Sequence, residues 1–245
     1  MAEKLKYFVN GQFRESKTDK WYDLHNPSTG EITGQAPCCT NDEVLEAIAA
    51  AKAAYPGWSA TPAIKRAQIL YRVRELILER MDELTMSVAK ENGKVWAESE
   101  GDVLKAKEGT ELATQVPSLM MGESIMDASR GYDTVKYREP LGVFAGIVPV
   151  NFPAMMPFGW MAPTCIATGN TLVLKAASLT PKTAMLFAQL YKDAGVPDGV
   201  INVVTCSRNE INTILEHPDV KGITFVGSTP VGLKIYEKEQ AEGLN

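Results

Sequence analysis

Histidine is nearly missing from this chain and cysteine is sparse. The 245 residues include two histidines, His25 and His217, and four cysteines, Cys38, Cys39, Cys165 and Cys206. Two histidines leave little material for a histidine-rich metal centre or a local Ser-His-Asp arrangement, and His217 before Pro218 reads as a helix end. The cysteines show no CxxC spacing, and the adjacent Cys38 and Cys39 suit neither a disulfide framework nor a zinc site. The expected setting is therefore a reducing compartment, the cytoplasm. The start, Met1 to Lys4, is charged and runs into a short strand pattern, with no basic segment followed by an apolar one, so nothing here directs export. Positive charge is also short. With 25 Lys and Arg against 30 Asp and Glu, the formal net charge is −5, which offers no footprint for a phosphate backbone or an anionic membrane and argues against nucleic acid as a partner.

Hydrophobic residues, at 45%, are plentiful enough to exclude intrinsic disorder, and a compact chain of this length buries roughly 70 to 75% of the surface its unfolded form exposes. The longest stretch without a charged residue, Pro140 to Leu174, has the length of a membrane span. Pro149, Pro153, Pro157 and Pro163, with Asn151 and Gly146, Gly159 and Gly169, would leave backbone groups unpaired in lipid, so it is read otherwise. A strand over 143–148, a buried helix over 154–168 and a second strand over 171–174 account for it, because strands covered on both faces read as continuous apolar runs.

Before that stretch, Lys6 to Val9 and Gln12 to Arg14 flank Asn10-Gly11, a strong hairpin signal, and Asn26 to Gly30 is a turn. Asn41 or Asp42 is expected to cap a helix that Pro56-Gly57 stops. A second helix is expected from Thr61-Pro62 as one run to Gly93, with Leu70, Val73, Ile77, Met81, Leu84 and Val88 on one face. A third, 96–116, is weakened by Gly101 and Gly109. Strand-like pieces at 124–126 and 134–137 around Ala128 to Gly131 predict a two-stranded ribbon that must pack on a neighbour, since such a ribbon is marginal alone. After Leu141, strands and helices alternate, with strands at 200–204 and 222–226, helices at 181–194 and 208–216, and a helix from Pro230. Lys234 to Glu242 reads as a solvated helix face. The expected fold is α/β: a doubly wound, Rossmann-like parallel sheet at 139–245, an N-terminal helical part at 1–119 and a protruding ribbon at 120–138.

In such a sheet ligands sit at the carboxyl ends of the strands. Those ends carry Pro149-Val150-Asn151, then Lys175 to Ser178, then Gly227-Ser228-Thr229-Pro230. Gly227 lets backbone come close, and Ser228 opens a helix whose free N–H groups and dipole suit an anion. Each alone has a plain structural reading: Ser-Thr-Pro is a common helix start, a strand-end lysine a solvated charge, an asparagine a turn former. Their joint placement on one margin is what points to a site.

Arg138 to Val143, Asn151-Phe152-Pro153, Leu174-Lys175 and Phe225 to Gly232, in that order, resemble the aldehyde dehydrogenase superfamily, and most of all its CoA-acylating methylmalonate-semialdehyde branch. The resemblance covers essentially the whole chain. It implies NAD(P)-dependent oxidation of an aldehyde, a semialdehyde in that branch, through a cysteine thioester released to water or coenzyme A. It implies that Asn151 donates its side-chain N–H to the oxyanion, that Lys175 holds the adenosine ribose hydroxyls, that Ser228 and Gly227 receive the pyrophosphate, and that Pro149 and Val150 line the nicotinamide channel. It also implies a homo-oligomer, with the ribbon as its arm.

Three departures matter. Family members run to about twice this length, with their nucleophile in a second domain, and none of the four cysteines falls at that position, Cys165 reading as an inert core thiol. A cofactor-domain half is therefore expected, completed by a second chain carrying the catalytic domain or left as a truncated piece; the alternative is an inactive nucleotide-binding or assembly module. Where the family commonly has a glutamate three residues after the lysine, this chain has Ser178, which removes a repulsion against a 2′-phosphate and leaves NADP as well as NAD in play. Where the branch is expected to carry an arginine for a substrate carboxylate, this chain has Lys105, which keeps the charge without the bidentate fork.

Overall fold

The computed structural model describes residues 3–241, with side chains to 238 at the carboxyl end; Glu242, the last residue of the expected charged face, lies outside them. Asn10 and Gly11, both at positive φ, join β1 (Tyr7–Val9) to β2 (Gln12–Arg14) as an antiparallel hairpin. Only the turn at Asn26 to Gly30 is legible in the sequence, but it connects two paired strands, β3 (Trp21–His25) and β4 (Ile32–Pro37).

Helix α1 (Asn41–Ser59) is capped by Thr40, one residue before the expected caps. Thr40 and Glu43 form a reciprocal capping box, with Glu43 N donating to Thr40 Oγ1 at 3.3 Å and Thr40 N to Glu43 Oε2 at 2.8 Å. Pro56 does not stop this helix. It sits in the last turn, where a missing N–H loses one bond and the chain continues to Ser59. The expected single run to Gly93 is two helices, α2 (Ala63–Glu79) and α3 (Met81–Asn92), because Arg80 leaves helical geometry at φ −111° and ψ 21°. Gly93, at φ 75°, does end α3. Next come α4 (Trp96–Ala113) and the short α5 (Val116–Leu119). In the ribbon of β5 (Ser124–Ser129) and β6 (Tyr132–Val135) every residue is exposed, so within this chain it packs on nothing.

The alternating part follows expectation more closely. It runs β7 (Val143–Ile147), a π-helical segment (Met156–Met161) passing into α6 (Ala162–Ala167), β8 (Thr171–Lys175), α7 (Lys182–Asp193), β9 (Ile201–Val204), α8 (Arg208–Leu215), β10 (Val220–Phe225) and α9 (Thr229–Ala241). The sheet has the order β10-β7-β8-β9-β1-β2. The first four strands are parallel, and β1 joins antiparallel through Phe8 and Val203, so the N-terminal hairpin closes the edge. Side chains alternate between two cores: Leu172 and Leu174 face α2, α4 and α7, while Val173 faces Val44, Ile48 and Ala51 of α1. This is an α/β fold with a mixed, mainly parallel sheet covered on both faces.

Candidate functional site

From β7 the chain winds outward through β8 to β9, then returns to place β10 on the other side of β7. That reversal is a topological switch point, and a crevice opens there at the carboxyl ends of the strands. The register brings those ends level, since Phe225 pairs with Ile147, Ile147 with Lys175 and Lys175 with Val204. Pro149 to Asn151, Lys175 to Ser178 and Gly227-Ser228 therefore leave from one sheet margin. The loops are tied to each other as well. Val226 N donates to the Ile147 carbonyl at 3.1 Å, and the Val150 carbonyl accepts from Thr180 Oγ1 at 3.3 Å and Asn92 Nδ2 at 2.7 Å.

Each side chain has a distinct setting. Asn151 and Val150 are exposed and Pro149 is half-buried. Ser228 and Gly227 are exposed ahead of α9, whose first bonds, Val231 N and Gly232 N, run to the Ser228 carbonyl at 3.1 and 3.0 Å. A Cβ at Gly227 would run into the Phe225 ring, so no other residue fits there unless that ring shifts. Lys175 is half-buried at the end of β8, and desolvation holds its ammonium below the usual lysine range, with the Cys206 and Cys38 thiols nearby and no carboxylate to pair with among the described residues. Ser178 is half-buried in the turn closed by Thr180 N on the Ala177 carbonyl at 3.3 Å.

Beside Ser228, a groove of about 500 Å³ runs between α8 and α9. Ile147 forms part of its base, Ile211 and Leu215 line one side and Val231 the other, with Arg208 and Ser228 also on its wall. Sequence reasoning missed it, although Ile211 and Leu215 repeat at helical spacing; the periodicity of α8 does not say that a groove will lie between it and α9. Lys105 is not gathered with the rest. It is exposed on α4, with its ammonium 2.6 Å from Glu108. Burial pushes the thiols of Cys39, Cys165 and Cys206 up to about 12, and Cys38 is buried with the Tyr22 hydroxyl donating to its sulfur at 3.5 Å, so none is set up as a nucleophile. Among the described residues no cluster of His, Cys, Asp and Glu could hold a metal ion, and no helix is long and apolar enough to cross a membrane.

An apolar slot leading to a helix N-terminus at a switch point can seat a flat base and an attached diphosphate. The chain is 43% identical over 239 residues to the human acylating methylmalonate-semialdehyde/malonate-semialdehyde dehydrogenase, covering 98% of this chain and 44% of that protein. It is 44% identical over 242 residues to malonate-semialdehyde dehydrogenase 2 of Geobacillus kaustophilus, covering 99% and 50%. Among solved structures, methylmalonate-semialdehyde dehydrogenase from Oceanimonas doudoroffii superposes with a TM-score of 0.95 at 36% identity, over 98% of this chain and 49% of that one. A Sinorhizobium meliloti 1021 protein complexed with NAD gives 0.96 at 33% identity, over 99% and 49%. The chain thus spans about half the length of the relatives it matches. The aldehyde dehydrogenase family model accounts for residues 13–244, and the chain belongs to that family.

Proposed function

We propose that this chain is the nucleotide-binding half of an NAD(P)-dependent aldehyde dehydrogenase acting on a small aldehyde, with a semialdehyde as the favoured substrate and coenzyme A as an acyl acceptor beside water. The observation that carries the reading is the groove between α8 and α9 ending at Ser228, on the same margin as Lys175 and Asn151. When bound there, the nicotinamide nucleotide supplies a hydride acceptor.

The residues fit such a group. Ile211, Leu215 and Val231 offer apolar faces to a purine. Gly227, Ser228 and the positive end of α9 suit a diphosphate. Lys175, half-buried with no carboxylate partner among the described residues, gains partners if ribose hydroxyls accept from its ammonium. Ser178 in place of a carboxylate would remove a repulsion against a 2′-phosphate, so NADP as well as NAD is proposed as cofactor. Pro149 and Val150, just ahead of Asn151 on the same sheet margin, would line the nicotinamide channel. Asn151 carries an uncharged donor that needs no proton exchange, and one such donor aimed at a developing oxyanion lowers the barrier by about 3 to 4 kcal/mol. The attacking thiolate would come from polypeptide outside these 245 residues, since the four cysteines within them are buried or enclosed. Lys105 remains a candidate for a substrate carboxylate only if it leaves Glu108. The ribbon, exposed along its whole length, is the proposed oligomer arm, and four unpaired cysteines suit a reducing compartment such as the cytoplasm.

Calorimetric titration of the chain with NAD and NADP, followed by assay with a catalytic segment supplied in trans, tests the reading. Saturable binding of either nucleotide, lost on Ser228→Trp, and aldehyde oxidation that appears only with the added segment are expected. Binding without turnover beside any such segment would favour the inactive module, and no binding of either nucleotide would end the proposal.

A further inference from the structure

Asn151 stands on an eight-residue connection between β7 and the π-helical segment, and an exposed loop of that length has no fixed shape by itself. Here three side chains from one corner, the junction of α3 and α4, grip it on both sides of Asn151. Asn92 Nδ2 donates to the Val150 carbonyl at 2.7 Å, one residue before. The Lys94 ammonium lies 3.9 Å from the centre of the Phe152 ring, one residue after. Asp102 Oδ1 accepts from Met155 N at 2.7 Å, four residues after. Lys94 and Asp102 are themselves an ion pair, Nζ to Oδ2 at 3.1 Å, with the carboxylate fully buried and the lysine side chain 16% exposed.

The geometry of this pair differs from that of a surface bridge. Asp102 lies within α4, yet its second oxygen reaches out of its own helix to an N–H just ahead of the π-helical segment, a donor with no partner within its own segment. Lys94 is held between that carboxylate and the face of a ring belonging to the loop. Gly93, in the left-handed region at φ 75°, turns the chain so that Asn92 and Lys94 reach the same loop from the two sides of one corner.

We propose that Asn92, Lys94 and Asp102 are positioning residues that fix the Pro149–Met155 loop and thereby aim the Asn151 carboxamide at the reacting carbonyl. The proposal rests on the reading of Asn151 as the oxyanion donor, but its structural half stands apart from that reading. Misplacement of a catalytic group by about 1 Å costs on the order of a hundredfold in rate; Lys94 and Asp102 are the charged side chains, among the described residues, with hydrogen-bond or ring contacts to this loop, and Asn92 shares the Val150 carbonyl with Thr180 Oγ1.

Amide hydrogen exchange on the intact chain, read by mass spectrometry, tests it. Asn92→Ala, Asp102→Asn and Lys94→Met are expected to raise exchange over residues 149–155 about tenfold or more, while β8 and α7 exchange as in wild type. Lys94→Arg, which keeps both the charge and the ring contact, is expected to restore the wild-type pattern. Nucleotide affinity should change less than about twofold, because the groove between α8 and α9 is untouched. Exchange that rises evenly across the chain, or a loop that stays protected in Asn92→Ala and Lys94→Met, would overturn the proposal; these two variants keep it testable if Asp102→Asn does not fold. In the assembled enzyme the same variants should lower kcat with KM unchanged. If Asn151→Ala retains full turnover while the corner variants still loosen the loop, the catalytic reading of Asn151 fails and the clamp stands.

Discussion

Gly109 and Gly159 meet backbone to backbone, so that a methyl group on Gly109 would run into the Gly159 carbonyl oxygen, and one on Gly159 would lie 2.9 Å from the Lys105 carbonyl oxygen. This approach seats the π-helical segment directly on α4, and so fixes the distance between Asp102 and Met155. The glycine that weakens α4 as an isolated helix is thus a requirement of its packing.

Gly109→Ala should therefore destabilise the fold by about 1–3 kcal/mol or more, the range of overpacking substitutions. Gly101, on the same helix, has nothing within 4 Å of its would-be Cβ. Gly101→Ala should instead stabilise by up to about 1 kcal/mol. Thermal unfolding of the two variants beside wild type checks both signs, at roughly 2–4 °C per kcal/mol for a chain of this size.

Lys175→Met should raise the melting temperature and weaken nucleotide binding together. A half-buried ammonium that desolvation disfavours, with no carboxylate partner among the described residues, is a cost to the apo fold, and removing it relieves that cost. The same change deletes the proposed donor to the ribose, worth about 1.5–3 kcal/mol, or roughly tenfold to a hundredfold in Kd. Calorimetry of folding and of binding on one preparation measures the pair; loss of both stability and affinity would contradict it.

Ser178→Glu should separate the two nucleotides. A carboxylate in that turn repels a 2′-phosphate and accepts from a free 2′-hydroxyl, so NADP affinity should fall about tenfold relative to NAD. Parallel titrations give the ratio directly, and an unchanged ratio would remove Ser178 from the site.

Glu91 supplies a pH signature. Its buried carboxylate accepts from Lys182 N at 2.8 Å and Thr183 N at 3.0 Å at the start of α7, yet burial outweighs these bonds and pushes its carboxyl from 4.5 up to about 7. Between those values the native chain holds a proton that the unfolded chain has released. The contribution of neutral Glu91 is therefore fully present below pH 4.5 and is lost as pH rises through about 7. Wild type should lose stability across this window relative to Glu91→Gln, by at most about 3 kcal/mol. Urea unfolding of both proteins at several pH values measures the difference, and a constant difference would refute the shift.

Every residue of the ribbon is exposed, including Ile125 and Val135. If the ribbon is the oligomer arm proposed above, Ile125→Asp should yield a smaller species than wild type in light scattering without lowering the affinity for nucleotide, since the ribbon and the groove share no residues. An unchanged mass would place the interface elsewhere.

Local chemistry determined much of this protein from sequence. Asn10-Gly11 specifies its hairpin because both residues tolerate positive φ, and the charge-free, largely apolar runs at 143–148 and 171–174 specify strands buried on both faces. The candidates Asn151, Lys175 and Ser228 were legible for the same reason: strand ends and helix starts are local signals, and the rule placing ligands at carboxyl ends needs only their order. Tertiary structure alone decided what depends on long-range approach. It put β1 antiparallel against β9, kept Pro56 inside α1, split α2 from α3 at Arg80, and brought the corner of Asn92, Lys94 and Asp102 against a loop some fifty residues away, as the separations of 58 and 53 residues in its hydrogen bonds record. Hydrophobic periodicity states which face of an element is buried, but says nothing of what it is buried against; pairing, crossing and the opening between α8 and α9 are settled only when the whole core packs.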